Sequence, residues 1–534
     1  MKKLKYGLYA LLACSTLTLT GCFNLDEEPY SEITEESFIP TEQDAAALMA
    51  QCYTSLRYIY DWQGLFDLQE ESGDIIITPT RPNGWDDGGV YRAMHQHTWH
   101  DQSWQPWNAY LTPFSGINTA NRVIDQIESG SLPVGNLKES MLAELRAVRA
   151  LWYSQLLDTH GNVPLVTAWS DEVPTQATRK EVYDFVVKEL TEALPNLSEA
   201  NDATTYGRMN KWAALATLCR VYLNAEVYTG TPQWDKVVEV ADQIINSGIF
   251  DLSADFSDNF KVDLDYTNKE VIFAVVYDRK YGGFHMQHKW YPPVARDHFG
   301  NYNDYFWGGS CANPQFIKAY EEGDKRLQKT WLIGPQYRHD DPTVVVWTCE
   351  NYLPSLTCMR DGENATSINW GCRIAKFEYD MQTTGGWSND FAYFRYAEVL
   401  LSKAEALMRL GKNEDEAARI VSRIRSRVFD NPAQATVTPA DLKKDTRIQY
   451  GTYDWDNNID QLGDQTPVVL GGLYDEWGFE FACEAQRRTQ MIRFGTFTTK
   501  NWFNHTPAGS HVTLFPIPLD ELQTNSNLKQ NPGY

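Results

Sequence analysis

The sequence predicts a mainly α-helical fold of stacked helical hairpins with large irregular loop-rich insertions and few short strands. Three observations lead there. Apolar residues recur at three- and four-residue steps, mainly over 38–60, 107–250, 389–430 and 474–495, the spacing that lays one stripe along a helix. Between those stretches, 61–106 and 278–388 lose the period and fill with Gly, Pro, Tyr and Trp, which reads as long loops. One of the few continuous strand-like runs is Glu270 to Tyr277, apolar and β-branched. At 534 residues the chain exceeds one ordinary core, so it holds two or more packed units unless these fuse; we take 38–534 as one fused unit.

Taken in order, Lys2, Lys3 and Lys5 precede an apolar run from Tyr6 through Cys14 and Leu19, the charged and hydrophobic regions of an export signal over 1–21. The run is too short and too polar for a stable membrane span. Leu19-Thr20-Gly21-Cys22 matches the bacterial lipobox, so Cys22 is expected to carry lipid and anchor the chain without a transmembrane helix, with 22–37 as a tether. Phe38 to Asp44 opens a helix continuing through Ala45 to Tyr58, with Thr41 as its N-cap. Helix returns at Trp107–Tyr110 and again at Ile117–Ile124. From Lys138, the residues Met141, Leu145, Val148, Trp152 and Leu156 share one face, while Arg146 and Arg149 fall off it. That helix stops at Gly161, which tolerates the left-handed conformation, and Pro164 forbids re-entry.

Three further helices follow between Thr178 and Ser247. Their stripes are Val182, Phe185, Leu190 and Leu194, then Trp212, Leu215, Cys219 and Tyr222, then Trp234, Val237, Val240, Ala241 and Ile244. With small residues such as Ala213 and Ala216 between bulky ones, these look like degenerate tetratricopeptide-type hairpins, which stack into a rigid scaffold. Helix is expected to resume at Asn389, to place Val399, Leu400, Ala404 and Leu407 on one face, to end at Gly411, and to pair with a helix from Glu414 to Arg427.

Several stretches in order carry a further resemblance. Ala143-Glu144-x-Arg146-Ala147-x-Arg149-Ala150-x-x-Tyr153 runs into Gly161-Asn162-Val163-Pro164-Leu165-Val166, and Arg395 to Leu407 follows. Glu480 to Gly495 has Ala485 where glycine is usual and Gln490 where aspartate is common, and the tail reads Leu514 to Pro518 and Gln530 to Tyr534. Together they closely resemble the SusD/RagB family of outer-membrane glycan-binding lipoproteins. The resemblance implies a SusD-like fold, display on the cell exterior, and a lid-like seat on a SusC-like TonB-dependent transporter. The acidic Leu25-Asp26-Glu27-Glu28 resembles the surface-export tag of such lipoproteins in Bacteroidetes.

Forty-seven basic against 71 acidic residues leave a net charge of -24, and loss of the three signal-peptide lysines makes it -27. Such acidity argues against a nucleic-acid partner. Of nine cysteines, Cys14 leaves with the signal and Cys22 takes lipid, so an odd number remains. Cys349 and Cys358 could close a small loop, but the scattered spacing is that of buried thiols.

Three loops place a tryptophan at a glycine turn: Thr80 to Gly89 around Trp85, Asn301 to Cys311 around Trp307, and Thr383 to Asp390 around Trp387. An indole face stacks on the C–H side of a sugar ring, while carboxylates and guanidinium forks suit its hydroxyl rim. Trp85, Trp307 and Trp387 are therefore the expected stacking surfaces for an oligo- or polysaccharide, with Asp67, Arg81, Asp86, Arg373 and Tyr393 contacting hydroxyls. Trp104 and Trp107 read instead as pins holding loops to the scaffold.

His95 and His97 would share one side of a strand, but no further ligands at metal-site spacing accompany them. Asp454, Asp456, Asn458 and Asp460 imitate a calcium loop, yet Ile459 replaces the turn glycine and Gln465 the bidentate glutamate. No cofactor is expected, and calcium only adventitiously. Neither a G-x-S-x-G elbow, a P-loop nor an H-E-x-x-H helix occurs, so the expectation is a binder and not an enzyme. Two alternatives stay open: a peptide-binding RagB-like member, and a surface glycosidase, which needs two carboxylates roughly 5 to 9.5 Å apart.

Overall fold

A computed structural model describes residues 42–81, 84–357, 359–360, 363–364 and 367–534. The export signal, Cys22, the tether, the Thr41 cap, Cys358 and part of the Trp85 loop lie outside them. The fold is mainly helical with few short strands, and each sheet among the described residues has two strands.

The helices form an array in which each packs on its neighbour. Trp104–Glu128 lies on Lys138–Thr159, which lies on Arg179–Ala193; Lys211–Leu223 lies on Trp234–Asn246. Trp234–Asn246 then packs on Tyr396–Leu410, which pairs with Glu414–Arg425. Residues 247–395 are thus an excursion from the array, and strand Val271–Val275 closes its neck by pairing antiparallel with Phe391–Arg395. One hydrophobic cluster runs through the array, from Met49 to Leu528.

Local chemistry accounts for the helix ends. Thr178 and Glu181 form a reciprocal capping box ahead of Arg179–Ala193, and Gly411 ends Tyr396–Leu410 at φ 63°. Gly161 has φ 70°, and a Cβ there would lie 2.9 Å from Leu514 and 3.1 Å from Arg179, so the left-handed exit also admits the C-terminal tail.

Four expectations about elements are corrected. Trp104–Glu128 is one continuous helix in place of two pieces: Pro113 removes one hydrogen bond, but the buried Tyr110, Ile117, Ala120 and Val123 hold the helix through it. Residues 391–395 are strand, and the helix begins only at Tyr396, because Phe391 to Arg395 pairs with Val271 to Val275. Val90–Gln96 is a helix and not a strand, so His95 and His97 do not alternate; His97 is its left-handed C-cap. Glu480 to Arg488 is not one helix: Gly471–Phe481 stops, Cys483 and Ala485 take φ 64° and 59°, and Arg487–Phe494 starts afresh.

The six described cysteines are buried free thiols. Asp454 accepts the backbone N–H groups of Asp456 and Asn458 at 2.9 and 2.8 Å, capping the turn between Thr452–Tyr453 and Ile459–Gln461.

Candidate functional site

The turn around Trp307 brings four of the expected site residues together: Trp307, Trp85, Arg81 and Arg373. Its backbone is held from below at several points: the Trp307 N–H donates to the His288 carbonyl at 2.7 Å, and Arg373 donates to the carbonyls of Ser310 at 3.0 Å and Gly308 at 3.4 Å. Arg81 donates to the Gly309 carbonyl at 3.3 Å and the Trp370 carbonyl at 3.2 Å. Gly308 has φ 68°, with Pro292 Cα 2.8 Å from where a Cβ would be, and a Cβ on Gly309 would strike the Trp85 ring at 2.5 Å. Both glycines are required by close approach.

Trp85 fills the space above Gly309 and donates its indole N–H to the Trp307 carbonyl at 3.0 Å. It is 8% exposed and its backbone is left-handed at φ 65°, a strained conformation for an aromatic residue. The Trp307 ring above it is 41% exposed. Tyr305, 40% exposed, lies 5.7 Å from Trp307 and stacks on His288 at 4.2 Å; Trp62, half-buried, meets Trp307 edge-on at 5.9 Å. His285 donates its Nδ1–H to the Gly385 carbonyl at 2.8 Å, and Asp61 precedes Trp62, its carboxyl pushed up by burial. The result is a rigid aromatic surface, Trp307 and Tyr305 outermost, with hydrogen-bonding side chains beside it. Such a surface holds a sugar ring by its apolar face.

The structure sorts the sequence-derived residues accordingly. Trp307 and Asp86 reach the surface, although Asp86 is ion-paired with Arg92, whose hydrogen bond holds its carboxyl below the usual range. Trp85 serves as the backing of Trp307 more than as a free face. Arg81 and Arg373 are buried, and their guanidinium groups are used on the carbonyls of the Trp307 turn and its neighbours, so they position the loop and do not reach a ligand.

Trp387 has no exposed surface: it packs on Phe284 at 6.0 Å and Tyr379 at 5.1 Å, its strand-like bridge to Phe284 turning the ring inward. Asp67 is fully buried against the Lys289 ammonium at 2.5 Å; burial pushes its carboxyl well above the usual range, with Lys289 pulling against that. Tyr393 is buried beneath the Arg220 guanidinium and lines an interior cavity of about 50 Å³ with Gln155 and Glu398, away from the Trp307 turn. Trp387, Asp67, Tyr393, Arg81 and Arg373 are therefore corrected from ligand contacts to structural residues.

Sequence reasoning passed over Trp62 and Tyr305. Tyr305 stood in the aromatic run before Gly308, and Trp62 lies two residues before Gly64 in Asp61-Trp62-Gln63-Gly64, a looser form of the tryptophan-and-glycine signal. Gly64 is forced, since a Cβ would lie 1.6 Å from the Tyr58 carbonyl oxygen. Trp104 and Trp107, expected as pins, are 40% and 39% exposed, and of the two Trp107 ties its turn to the C-terminal segment by donating its indole N–H to Asp520 at 3.0 Å. Among the described residues no group of histidine, cysteine or carboxylate side chains is arranged to hold a metal, and no helix is long and apolar enough to cross a membrane.

Comparison with known proteins adds to this geometry. The model of the SusD family matches residues 269–534, and a second, described as starch-binding and associating with the outer membrane, matches 24–223. The chain is 24% identical to the starch-binding protein SusD of Bacteroides thetaiotaomicron over 98% of both chains. Its fold matches a SusD superfamily protein of Parabacteroides distasonis at 20% identity and TM-score 0.70, covering 92% of this chain and 99% of that one. It also matches surface glycan-binding protein A of Bacteroides thetaiotaomicron, solved with laminarihexaose, at 17% identity and TM-score 0.69, covering 92% and 99%.

Proposed function

The chain belongs to the SusD family of non-catalytic outer-membrane binding proteins, and from that premise we propose that it captures an oligo- or polysaccharide at the cell surface and delivers it to a SusC-like TonB-dependent transporter. Lipid on Cys22 anchors it on the outer leaflet of the outer membrane, facing the exterior. One observation carries the reading: the exposed Trp307 ring, fixed by Trp85 behind it and flanked by Tyr305 and Trp62, offers sugar-sized flat faces. Names of similar proteins mention starch and laminarin, which makes both α- and β-glucans probes to try.

Isothermal titration against laminarin, amylopectin and inulin, with a set of oligopeptides alongside, tests the reading. A polysaccharide of this set is expected to bind, and Trp307→Ala to weaken it by about 1 to 3 kcal/mol, the range for a base stacked on one aromatic ring. Response to oligopeptides with none to any polysaccharide would contradict the glycan reading and favour a peptide carrier.

A further inference from the structure

We propose a second sugar-holding site at Trp104 and Trp107, which takes a neutral unit further along the glycan chain held at Trp307; this rests on the glycan reading of Trp307. Trp104 and Trp107 stand three residues apart on the first turn of Trp104–Glu128, so both rings lie on one face of that helix. Both are about two-fifths exposed, at 40% and 39%, although large aromatic rings so close together normally bury each other or a partner.

A cavity of about 490 Å³ opens between this turn and the C-terminal helix Leu519–Thr524, within the range of roughly 300 to 1,000 Å³ usual for ligand pockets. The rings face it with four amides, Gln63, Gln102, Asn108 and Gln523, and two carboxylates, Asp101 and Asp520. The site is built before any ligand arrives. The Trp107 indole N–H donates to Asp520 Oδ2 at 3.0 Å, which sets that ring's orientation, and the Leu519 N–H donates to the Asp101 carbonyl at 3.1 Å, which fixes the opposite wall.

Its chemistry is that of carbohydrate recognition: flat apolar faces beside amide and carboxylate groups that match a hydroxyl rim. None of the lining residues is basic, and the two carboxylates repel uronate, sialate and sulfate groups, so the unit is neutral.

Position ties it to Trp307. Asn108 donates to the Gln63 carbonyl at 3.0 Å, and the residue before Gln63 is Trp62, whose ring is 5.9 Å from Trp307. Trp62 beside Trp307 and Gln63 in the pocket wall are thus consecutive residues, and in this proposal a chain longer than the unit seated on Trp307 runs past Trp62 to the pocket. Two linked subsites raise affinity by effective concentration, so the second contributes to polymers and not to short fragments.

The test titrates wild type, Trp104→Ala, Trp104→Ala/Trp107→Ala and Trp307→Ala with laminarin and laminaribiose, amylopectin and maltose, and inulin and sucrose. Trp104→Ala leaves the Trp107–Asp520 bond intact and guards against a folding defect in the double variant. The expected result is polysaccharide affinity about tenfold weaker in both Trp104 variants, with disaccharide affinity unchanged, while Trp307→Ala weakens both. Unchanged polysaccharide affinity in the Trp104 variants, with Trp307→Ala still weakening it, overturns the second site and leaves the first standing. Equal loss for polymer and disaccharide also overturns it, since the pair then acts through the fold or the first site. Binding indifferent to Trp307, or no binding by wild type to any of these sugars, removes the Trp307 reading and this proposal with it.

Discussion

Trp307 and Trp387 have nearly the same local sequence, a tryptophan beside two glycines, and opposite fates. What separates them lies elsewhere in the chain. Gly386 approaches Gly283 so closely that a Cβ on either would come within 3.2 Å of the other's backbone, and this pairing folds Trp387 onto Phe284, Tyr379 and Tyr291. Trp307 instead has Trp85 filling the space beneath its own backbone. Trp387→Ala is accordingly expected to cost about 3 to 5 kcal/mol of stability in urea unfolding, as for a buried aromatic, and Trp307→Ala less than about 1 kcal/mol. A turn signal in the sequence announces that a tryptophan sits on a loop; it carries no information on which way the loop faces, and so of the three expected stacking faces Trp307 is exposed while Trp85 and Trp387 are buried. Ala485 is the reverse case, a departure from pattern with a direct physical reading. Its φ of 59° is the conformation glycine adopts freely, which accounts for glycine being usual at this point of the family's motif. Ala485→Gly is expected to raise stability by about 1 kcal/mol, read as a shift in the urea midpoint at unchanged slope.

At the scale of elements, the stretches that announced the family turn out to be joints between elements and not the binding surface. Glu480 is shared among Arg395 at 3.1 Å, Arg427 and Arg326 at 3.7 Å; Glu484 takes Arg395 at 2.7 Å and Lys376 at 2.5 Å. Arg487 holds Asp74 at 2.6 Å and Arg488 holds Asp158 at 2.9 Å. In the tail, Asn531 donates to the carbonyls of His160 and Phe515 at 2.8 and 2.7 Å, which locks the C-terminus against the exit from Lys138–Thr159. Arg395→Met leaves three buried carboxylates short of a partner and is expected to destabilise by about 3 to 5 kcal/mol, measured by urea unfolding. Helix positions were legible because a stripe of apolar residues is a local signal, whereas the strand at 391–395 depends on a partner more than a hundred residues away and looked like the start of a helix. The long Trp104–Glu128 helix was hidden by Pro113 for a related reason: packing outweighed a local breaker. That packing is tight at Gly116, where a Cβ would lie 2.2 Å from the Trp152 indole nitrogen. Gly116→Val is expected to cost about 1 to 3 kcal/mol or more, as overpacking does, visible as a lower melting temperature.

Across the whole molecule, a strongly acidic surface encloses a core with several buried ionisable groups, and these set its response to pH. Burial pushes His97 and His160 down to about 3, lowers His95, and holds His505 well below its ordinary value. An unfolded chain takes protons on these rings below about 6.5, so their contribution to stability is full above that pH and is lost as pH falls towards 3. Burial pushes Glu70 and Asp475 up to about 7, which acts in the opposite sense: they lose stability as pH rises from about 4.5 to 7. Glu480, raised by burial but held at about 2 by Arg427, Arg395 and Arg326, loses its contribution only as pH falls below about 4.5. Asp390, pushed by burial up to about 6, and Asp67, pushed by burial well above its ordinary value, act with Glu70 and Asp475, so four carboxyls offset the four rings and stability is expected to be nearly level between about pH 6.5 and 4.5 and to fall steeply below, with the His97 ring still neutral by NMR at about pH 5.

The central claim is that the Trp307 surface is where carbohydrate is held, and hydroxyl-radical footprinting read by mass spectrometry tests it most directly. With the polysaccharide that binds in titration at saturation, Trp307 and Tyr305 should be protected from oxidation while remote exposed rings such as Trp169 stay as reactive as before. Protection confined to other surfaces, with Trp307 and Tyr305 oxidised as in the free protein, would contradict the account.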